Sequence, residues 1–215
     1  MTPNREDYLK LLLELGGDKR KINNKQIVSG LNVSAASVSE MINKLVKEGL
    51  VDHFPYQGAQ LTFKGTQLAS SLIRKHRLWE VFLVEHLNYP WNTVHDDAEV
   101  LEHVTSDHLA NHLEEYLEHP KYCPHGGMIP AATAVVDEKE RQTLKDYPIG
   151  ATIRIARVLD EQELLDYLVS VNIKIDEHFT ISDKAAFEGP ITLENETKKV
   201  AISFKAASTI FVDPL

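Results

Sequence analysis

Apolar positions along the first 65 residues recur at helical spacing in three short stretches and then switch to alternation. Asn4 to Leu15 carries Tyr8, Leu9, Leu11, Leu12, Leu13 and Leu15, and Gly16-Gly17 ends the run. Asn23, with Gln26 three residues on, reads as a capping box opening a second helix. Its buried side is Ile27, Val28 and Leu31, and Gly30 and Asn32 turn the chain out of it. Ser34 caps a third helix running to about Lys47, with Val38, Ile42, Leu45 and Val46 facing inward and Met41 at their edge. After Gly49, Leu50, Val51 and Phe54 begin a strand. Pro55-Tyr56-Gln57-Gly58 is a turn, and Leu61 and Phe63 alternate on the return strand. Helix, turn, helix and hairpin in this order predict a winged helix-turn-helix over residues 1–65.

The pattern then lengthens. A helix is predicted from about Thr66 to Leu87, with Leu68, Leu72, Trp79, Leu83 and Leu87 on one stripe and Ile73, Val81, Phe82 and Val84 widening it. Pro90-Trp91 breaks it. A helix resumes near Asp96, and another, about Ser106 to Glu118, aligns Leu109, Leu113, Tyr116 and Leu117. These make a helical domain over 66–130. Residues 131–145 are weakly patterned and read as a linker. Over 146–215 short runs around Ile153, Ile155, Phe179, Ile181, Ile191, Leu193, Val200, Ile202, Phe204, Ile210 and Val212 predict strands, with one helix near Glu163 to Val169. Many short strands in so few residues suggest a small β barrel. The expected fold class is mainly α with a small β domain.

Charge changes this picture because it is uneven. The net charge is −9, which excludes a uniformly basic coat, yet residues 1–75 carry 11 Lys+Arg against 7 Asp+Glu. The N-terminal part alone can bring a positive face to a phosphate backbone. Small polar residues opening an exposed helix permit close approach to a groove, and Ser, Asn and Lys donate to base edges or phosphates. Ser34, Ala35, Ser37, Ser39, Asn43, Lys44 and Lys47 are therefore the candidate DNA contacts, joined by Tyr56 and Gln57 in the wing. Double-stranded DNA is the expected partner, with protein docking as the other use of such a fold. No apolar run reaches membrane-spanning length, the first residues lack the apolar core of a signal peptide, and the single cysteine, Cys123, cannot form an internal disulfide. An intracellular, reducing location is expected, with no membrane partner.

Histidine is equally uneven. Eight of the ten histidines lie between His76 and His125, among glutamates and beside Cys123. Glu99, Glu102 and His103 fall at helical offsets that place all three on one face, an arrangement suited to a single ion. Two carboxylates held so close repel each other without a cation. His76 and Glu80 sit one turn apart, which fits a helix-surface bridge as readily as a ligand pair. Cys123 and His125, in a Gly/Pro-rich loop, are plausible thiolate and imidazole donors, an inert buried cysteine being the alternative. His108 and His112 read as interface or surface histidines. No metalloprotease, P-loop or serine-nucleophile motif is present, so the chain reads as a non-enzyme without a small-molecule substrate. A metal-independent winged-helix regulator, a metal-dependent hydrolase suggested by E-x-x-E-H, and a storage protein are the other readings.

Three stretches carry a resemblance: VSAASVSEMINKLVKEGLV (33–51) with its wing, RKHRLWEVFLVEHL (74–87) with HDDAEVLEHVTSDHLANHLEEYLEHPKYCPHGGMIP (95–130), and the C-terminal domain. Across nearly its whole length the chain resembles the diphtheria-toxin-repressor family of metal-dependent regulators. Within that family it is similar to the streptococcal manganese-dependent repressors of metal-transport genes. The resemblance implies a homodimer that binds a palindromic operator when loaded with divalent metal. It also implies an SH3-like (FeoA-like) C-terminal barrel. Carried over by position, one metal site uses Asp7, Glu99, Glu102 and His103 with His76 in or near the shell. The second uses Glu80, Cys123 and His125 and adds Asp160; His95 also matches a ligand position. Iron-type members carry Met and Cys where this chain has Asp7 and Glu99, so oxygen donors here favour Mn²⁺. Zn²⁺, Cd²⁺ and Fe²⁺ are the possible substitutes.

Overall fold

The computed structural model describes residues 2–136 and 141–215, so residues 137–140 of the expected 131–145 linker lie outside the described residues. The described residues form two compact units. One comprises 2–79, 97–121 and 129–136; the other comprises 80–96, 122–128 and 141–215.

The first unit opens with α1 (Pro3–Glu14), α2 (Asn24–Leu31) and α3 (Ala35–Lys47), followed by β1 (Val51–Phe54) paired antiparallel with β2 (Gly58–Leu61). Local chemistry sets each boundary. Asn23 and Gln26 form the reciprocal capping box, Asn32 leaves α2 in a left-handed conformation, and the Ser34 side chain accepts from the Ser37 N–H. Leu9, Leu12, Ile22, Ile27, Val38, Ile42, Leu45, Leu50 and Leu61 pack into one core. Val46 is outside it and 37% exposed, because the inward stripe of α3 follows Val38, Ile42 and Leu45. Gly58, at φ +113°, lets the hairpin close on residue 22: a Cβ there would lie 2.1 Å from the Ile22 carbonyl oxygen.

The return strand stops at Leu61, and Phe63 is not part of it. The Thr62 hydroxyl accepts from the Gly65 N–H, which starts α4 (Phe63–Leu87) and leaves Phe63 at its exposed head. Then follow α5 (His95–Val104) and α6 (Asp107–Tyr116), the latter capped by Ser106. Leu113 and Leu117 are buried, whereas Leu109 and Tyr116 of the expected stripe are exposed.

The second unit contains β3 (Thr152–Val158), α7 (Gln162–Ser170), β4 (His178–Lys184), β5 (Ile191–Glu194), β6 (Lys199–Ile202), α8 (Phe204–Ala207) and β7 (Ile210–Pro214). Ile153, Ile155, Leu165, Leu168, Phe179, Ile181, Leu193 and Ile210 fill its core. The C-terminal domain is not the SH3-like barrel expected. Its five strands form an open antiparallel sheet in the order β6-β5-β4-β3-β7, and the edge strands β6 and β7 do not pair with each other. Other groups take up the two edges. Thr143 bridges Phe211, and the Val212 N–H donates to the Gln142 carbonyl. On β6 the Tyr167 hydroxyl donates to the Ala201 carbonyl and accepts from the Ser203 N–H. Phe204 begins a helix, not a strand, because the Ser203 side chain caps it by accepting from the Ala206 N–H.

Candidate metal centres

In the first unit α1, α4 and α5 converge their polar side chains. Ligand atoms of Asp7, Glu99 and His103 lie within 4.8 Å of one another, and so do those of His76, Glu99 and Glu102. His103 is gripped at both ring nitrogens by consecutive residues of α1. Nδ1 is 2.6 Å from Glu6 Oε2 and Nε2 is 3.0 Å from Asp7 Oδ1. Glu102, only 1% exposed, has Oε2 2.5 Å from His76 Nδ1. Lys10 Nζ donates to Glu99 Oε2 at 2.5 Å and to Glu102 Oε2 at 2.8 Å. Burial works against the Lys10 charge, but Glu102 and Glu99 outweigh it and hold its pKa above the ordinary ammonium value.

This set fits a divalent cation. Asp7 Oδ1 and Glu102 Oε1 are buried and accept no hydrogen bond, although the His103 Nε2 atom stands 3.0 Å from Asp7 Oδ1. Burial raises the Asp7 pKa; Glu99 and Glu102 add to the rise, and His103 and Lys10 only partly offset it. A carboxylate so placed is relieved by a positive charge. Glu6, which the sequence did not single out, accepts the Nδ1 proton of His103 and so presents Nε2 toward Asp7. Glu6→Ala is expected to lower metal affinity at this cluster by about 10–100-fold, the usual cost of losing a carboxylate behind a histidine ligand. Mn²⁺ titration of the variant checks this.

In the second unit ligand atoms of Glu80, Cys123 and His125 lie within 4.8 Å of one another, and so do those of Glu80, His95 and Asp160. All three residues of the first set are at least nine-tenths buried. The loop carrying Cys123 and His125 is fixed by its backbone. Tyr122 bridges Met128, Cys123 N–H donates to the Gly127 carbonyl, and Val158 N–H donates to the His125 carbonyl. That last bond ties the loop to β3, and Asp160 follows two residues later. Its carboxylate oxygens lie 3.8 Å from His125 Nδ1 and 2.6 Å from His95 Nδ1. His125 Nε2 is 2.7 Å from the Trp91 carbonyl, which can only accept, so Nε2 carries a proton and Nδ1 faces Glu80 at 2.9 Å.

Burial opposes a charge on His125, but hydrogen bonds to Cys123 and Glu80 and the charges of Glu80 and Asp160 outweigh it and push its pKa up to about 11. A metal needs the Nδ1 lone pair that this proton occupies. Ion binding at neutral pH is therefore expected to release about one proton from His125, with affinity falling about tenfold for each pH unit of acidification. Calorimetry in buffers of different ionisation enthalpy measures the proton, and His125→Ala should remove it.

The structure places Ser34, Ala35, Ser37, Ser39, Asn43, Lys44 and Lys47 exposed on or at the head of α3. Tyr56 and Gln57 are exposed at the tip of the hairpin. Tyr56 adopts a left-handed φ of 62° and is fully exposed. Lys21, absent from the sequence candidates, supports this tip: its Nζ donates to Gln57 Oε1 at 2.5 Å and sits 4.0 Å above the Phe54 ring. Lys44 is paired with Glu40 at 2.7 Å. Among the described residues no helix is long and apolar enough to cross a membrane.

A helix-turn-helix with a hairpin, followed by helices whose carboxylates and histidines converge, defines a DNA-binding regulator with metal-donor clusters. Residues 1–59 match the iron dependent repressor N-terminal DNA binding domain, and residues 62–131 match the iron dependent repressor metal binding and dimerisation domain. Residues 142–214 match the FeoA domain. The chain is 43% identical to the solved structure of the manganese regulator SloR, with all of both chains covered and a TM-score of 0.86. It is 40% identical to ScaR solved with bound Zn²⁺, covering 99% of this chain and 100% of that one, with a TM-score of 0.87. It is 27% identical over 221 residues to the diphtheria toxin repressor of Corynebacterium glutamicum, covering 100% of this chain and 94% of the relative. The chain belongs to the diphtheria-toxin-repressor family of metal-dependent, DNA-binding transcriptional repressors, which are regulators and not enzymes.

Proposed function

We propose that the protein is a manganese-responsive repressor of metal-uptake genes, acting in the cytoplasm as a homodimer on a palindromic operator. The observation that carries this is the joint made at Asp7, Glu99 and His103: one ligand comes from α1, which shares a core with the DNA-reading helix, and two from α5. The bound ion supplies positive charge and a coordination link between these helices. Asp7 and Glu6 hold His103 from one side, while His76 and Lys10 hold Glu102 from the other. Fixing α1 fixes α2 and α3, which share its core, and with them the face that enters the major groove.

Three domains are part of the reading: 1–65 for DNA, 66–130 for metal and dimerisation, and 146–215 as the β domain, with 131–145 between them. Asp7, His76, Glu99, Glu102 and His103 form the first metal shell; Glu80, Cys123, His125 and Asp160 form the second, with His95 beside Asp160. Oxygen donors in the first favour Mn²⁺ over softer ions, whereas the Cys123 thiolate gives the second an affinity for Zn²⁺ or Cd²⁺ as well. Exposed Val100, Val104, Leu109 and Tyr116 on α5 and α6 support pairing of two copies through these helices.

A gel-shift series with operator-like DNA tests the whole: strong retardation with Mn²⁺ and none with chelator is expected. Lys47→Ala should weaken Mn²⁺-loaded binding and lower the salt dependence by about one unit of slope. DNA binding that ignores chelator would instead support the metal-independent regulator.

A further inference from the structure

Helix α6 carries a histidine pair that neither donor cluster includes. His108 and His112 are one turn apart, and their rings stand edge to face, with centroids 4.4 Å apart and an interplanar angle of 84°. Beside them, Glu115 Oε2 lies 3.4 Å from His112 Nδ1. All three residues are exposed, the His112 side chain by 60% and that of Glu115 by 67%. The opposite side of the helix is pinned: Ala110, Leu113 and Leu117 are buried, and the Ser106 side chain caps the first turn. The pair is therefore presented outward at a spacing that the helix itself fixes.

We propose that His108 and His112 form a surface chelate for a borderline divalent ion of the Zn²⁺ type, separate from both clusters described above. Imidazole binds an ion through an unprotonated ring nitrogen, and two imidazoles one turn apart on a rigid helix converge on one ion without moving the backbone. A carboxylate behind the ring is the usual companion of a histidine ligand. Glu115 takes that place, accepting from Nδ1 of His112 and leaving Nε2 to the ion. The donor type also decides which ion binds. Imidazole suits Zn²⁺, Ni²⁺ and Cu²⁺, whereas Mn²⁺ stands lowest in the affinity order for a given set of donors. The preference is thus the reverse of that at Asp7, Glu99 and His103, where oxygen donors dominate. Mn²⁺ that loads those residues leaves the α6 pair empty, and Zn²⁺ fills it. A tetrahedral Zn²⁺ on two protein ligands keeps positions for water or an outside donor, so this ion exchanges with the solution. Glu80, Cys123 and His125, by contrast, are buried.

The test passes the full chain, untagged and saturated with Mn²⁺, over a resin bearing chelated Zn²⁺. An immobilised ion reaches surface imidazoles and not buried ones, and a pair on one helix turn holds it better than single exposed histidines such as His53, His119 and His178. The wild type is expected to be retained. His108→Gln and His112→Gln should each lose most of that retention, since chelation needs both rings, while His119→Gln should elute with the wild type. Glutamine is a good helix former at an exposed position, and circular dichroism checks that α6 persists. Wild-type elution of either His108→Gln or His112→Gln, or an equal loss in His119→Gln, overturns the proposal. A solution count gives the second readout. Titrated with Zn²⁺ against a chromophoric chelator, the wild type should bind one more ion per chain than His112→Gln, and with Mn²⁺ the two should bind equal numbers. Equal Zn²⁺ counts, or a Mn²⁺ count that falls in the variant, would also overturn it.

Discussion

Asp7→Ala is expected to lower Mn²⁺-activated operator binding by about 100-fold or more while leaving the oligomeric state intact. The size follows from what the residue does. Losing a carboxylate behind a ligand already costs about 10–100-fold in metal affinity, and Asp7 is proposed as a direct donor of the set it shares with Glu99 and His103. Its other contribution is connectivity, since it is the donor of that set on α1. Its backbone lies far along the chain from the exposed apolar residues of α5 and α6, so self-association should survive. Gel shift and sedimentation of the same sample measure both. Loss of self-association in the variant would contradict the division of labour between α1 and the later helices. Reciprocity gives a second readout: operator DNA should tighten Mn²⁺ binding by the factor by which Mn²⁺ tightens DNA binding, and equal affinities with and without DNA would contradict the coupling. The raised Asp7 pKa sets the direction with pH. The carboxyl must ionise to bind, so occupancy falls on acidification at a higher pH than an ordinary aspartate would allow.

Gly126→Ala is expected to disable the second cluster selectively. Gly126 has φ +81°, and a Cβ there would stand 2.1 Å from the Ala156 carbonyl oxygen and 2.9 Å from Arg157 Cα, both in β3. Backbone cannot yield as a flexible side chain can. The loop must lift from the strand, breaking the Val158 to His125 bond and carrying Cys123 and His125 away from Glu80. A cost of about 2–4 kcal/mol is reasonable for a strained φ plus overpacking. Thermal unfolding should record that loss, and the Zn²⁺ binding proposed for Glu80, Cys123 and His125 should disappear from a titration. The Asp7 cluster should still bind Mn²⁺, because its donors are carried by α1, α4 and α5 and not by this loop.

Local features were the legible ones. Asn23 with Gln26 and Ser34 before a periodic run are short-range signals, and they mark where α2 and α3 begin. Glu99, Glu102 and His103 were legible for the same reason, being one helix face. Long-range features were not. Lys10 sits in a leucine-rich helix with no local pattern to place its charge, and its partners are 66, 89 and 92 residues away. Glu6 offers no pattern at all, since its role exists only through His103, 97 residues on. The alternation near Phe63 and Phe204 suggested continued strands, but hydroxyl groups at Thr62 and Ser203 redirect the backbone into helices. Alternation also shows which residues form strands without showing which strands are neighbours, so the expected barrel closure had no local signal to rest on.

Because the C-terminal sheet is open, it has two rims that could recruit a strand from elsewhere. Tyr167 and the segment at Gln142–Thr143 occupy hydrogen-bonding positions on those rims. Copies at high local concentration would otherwise risk zippering rim to rim into aggregates. Blunted rims guard such a sheet against edge-to-edge pairing between copies.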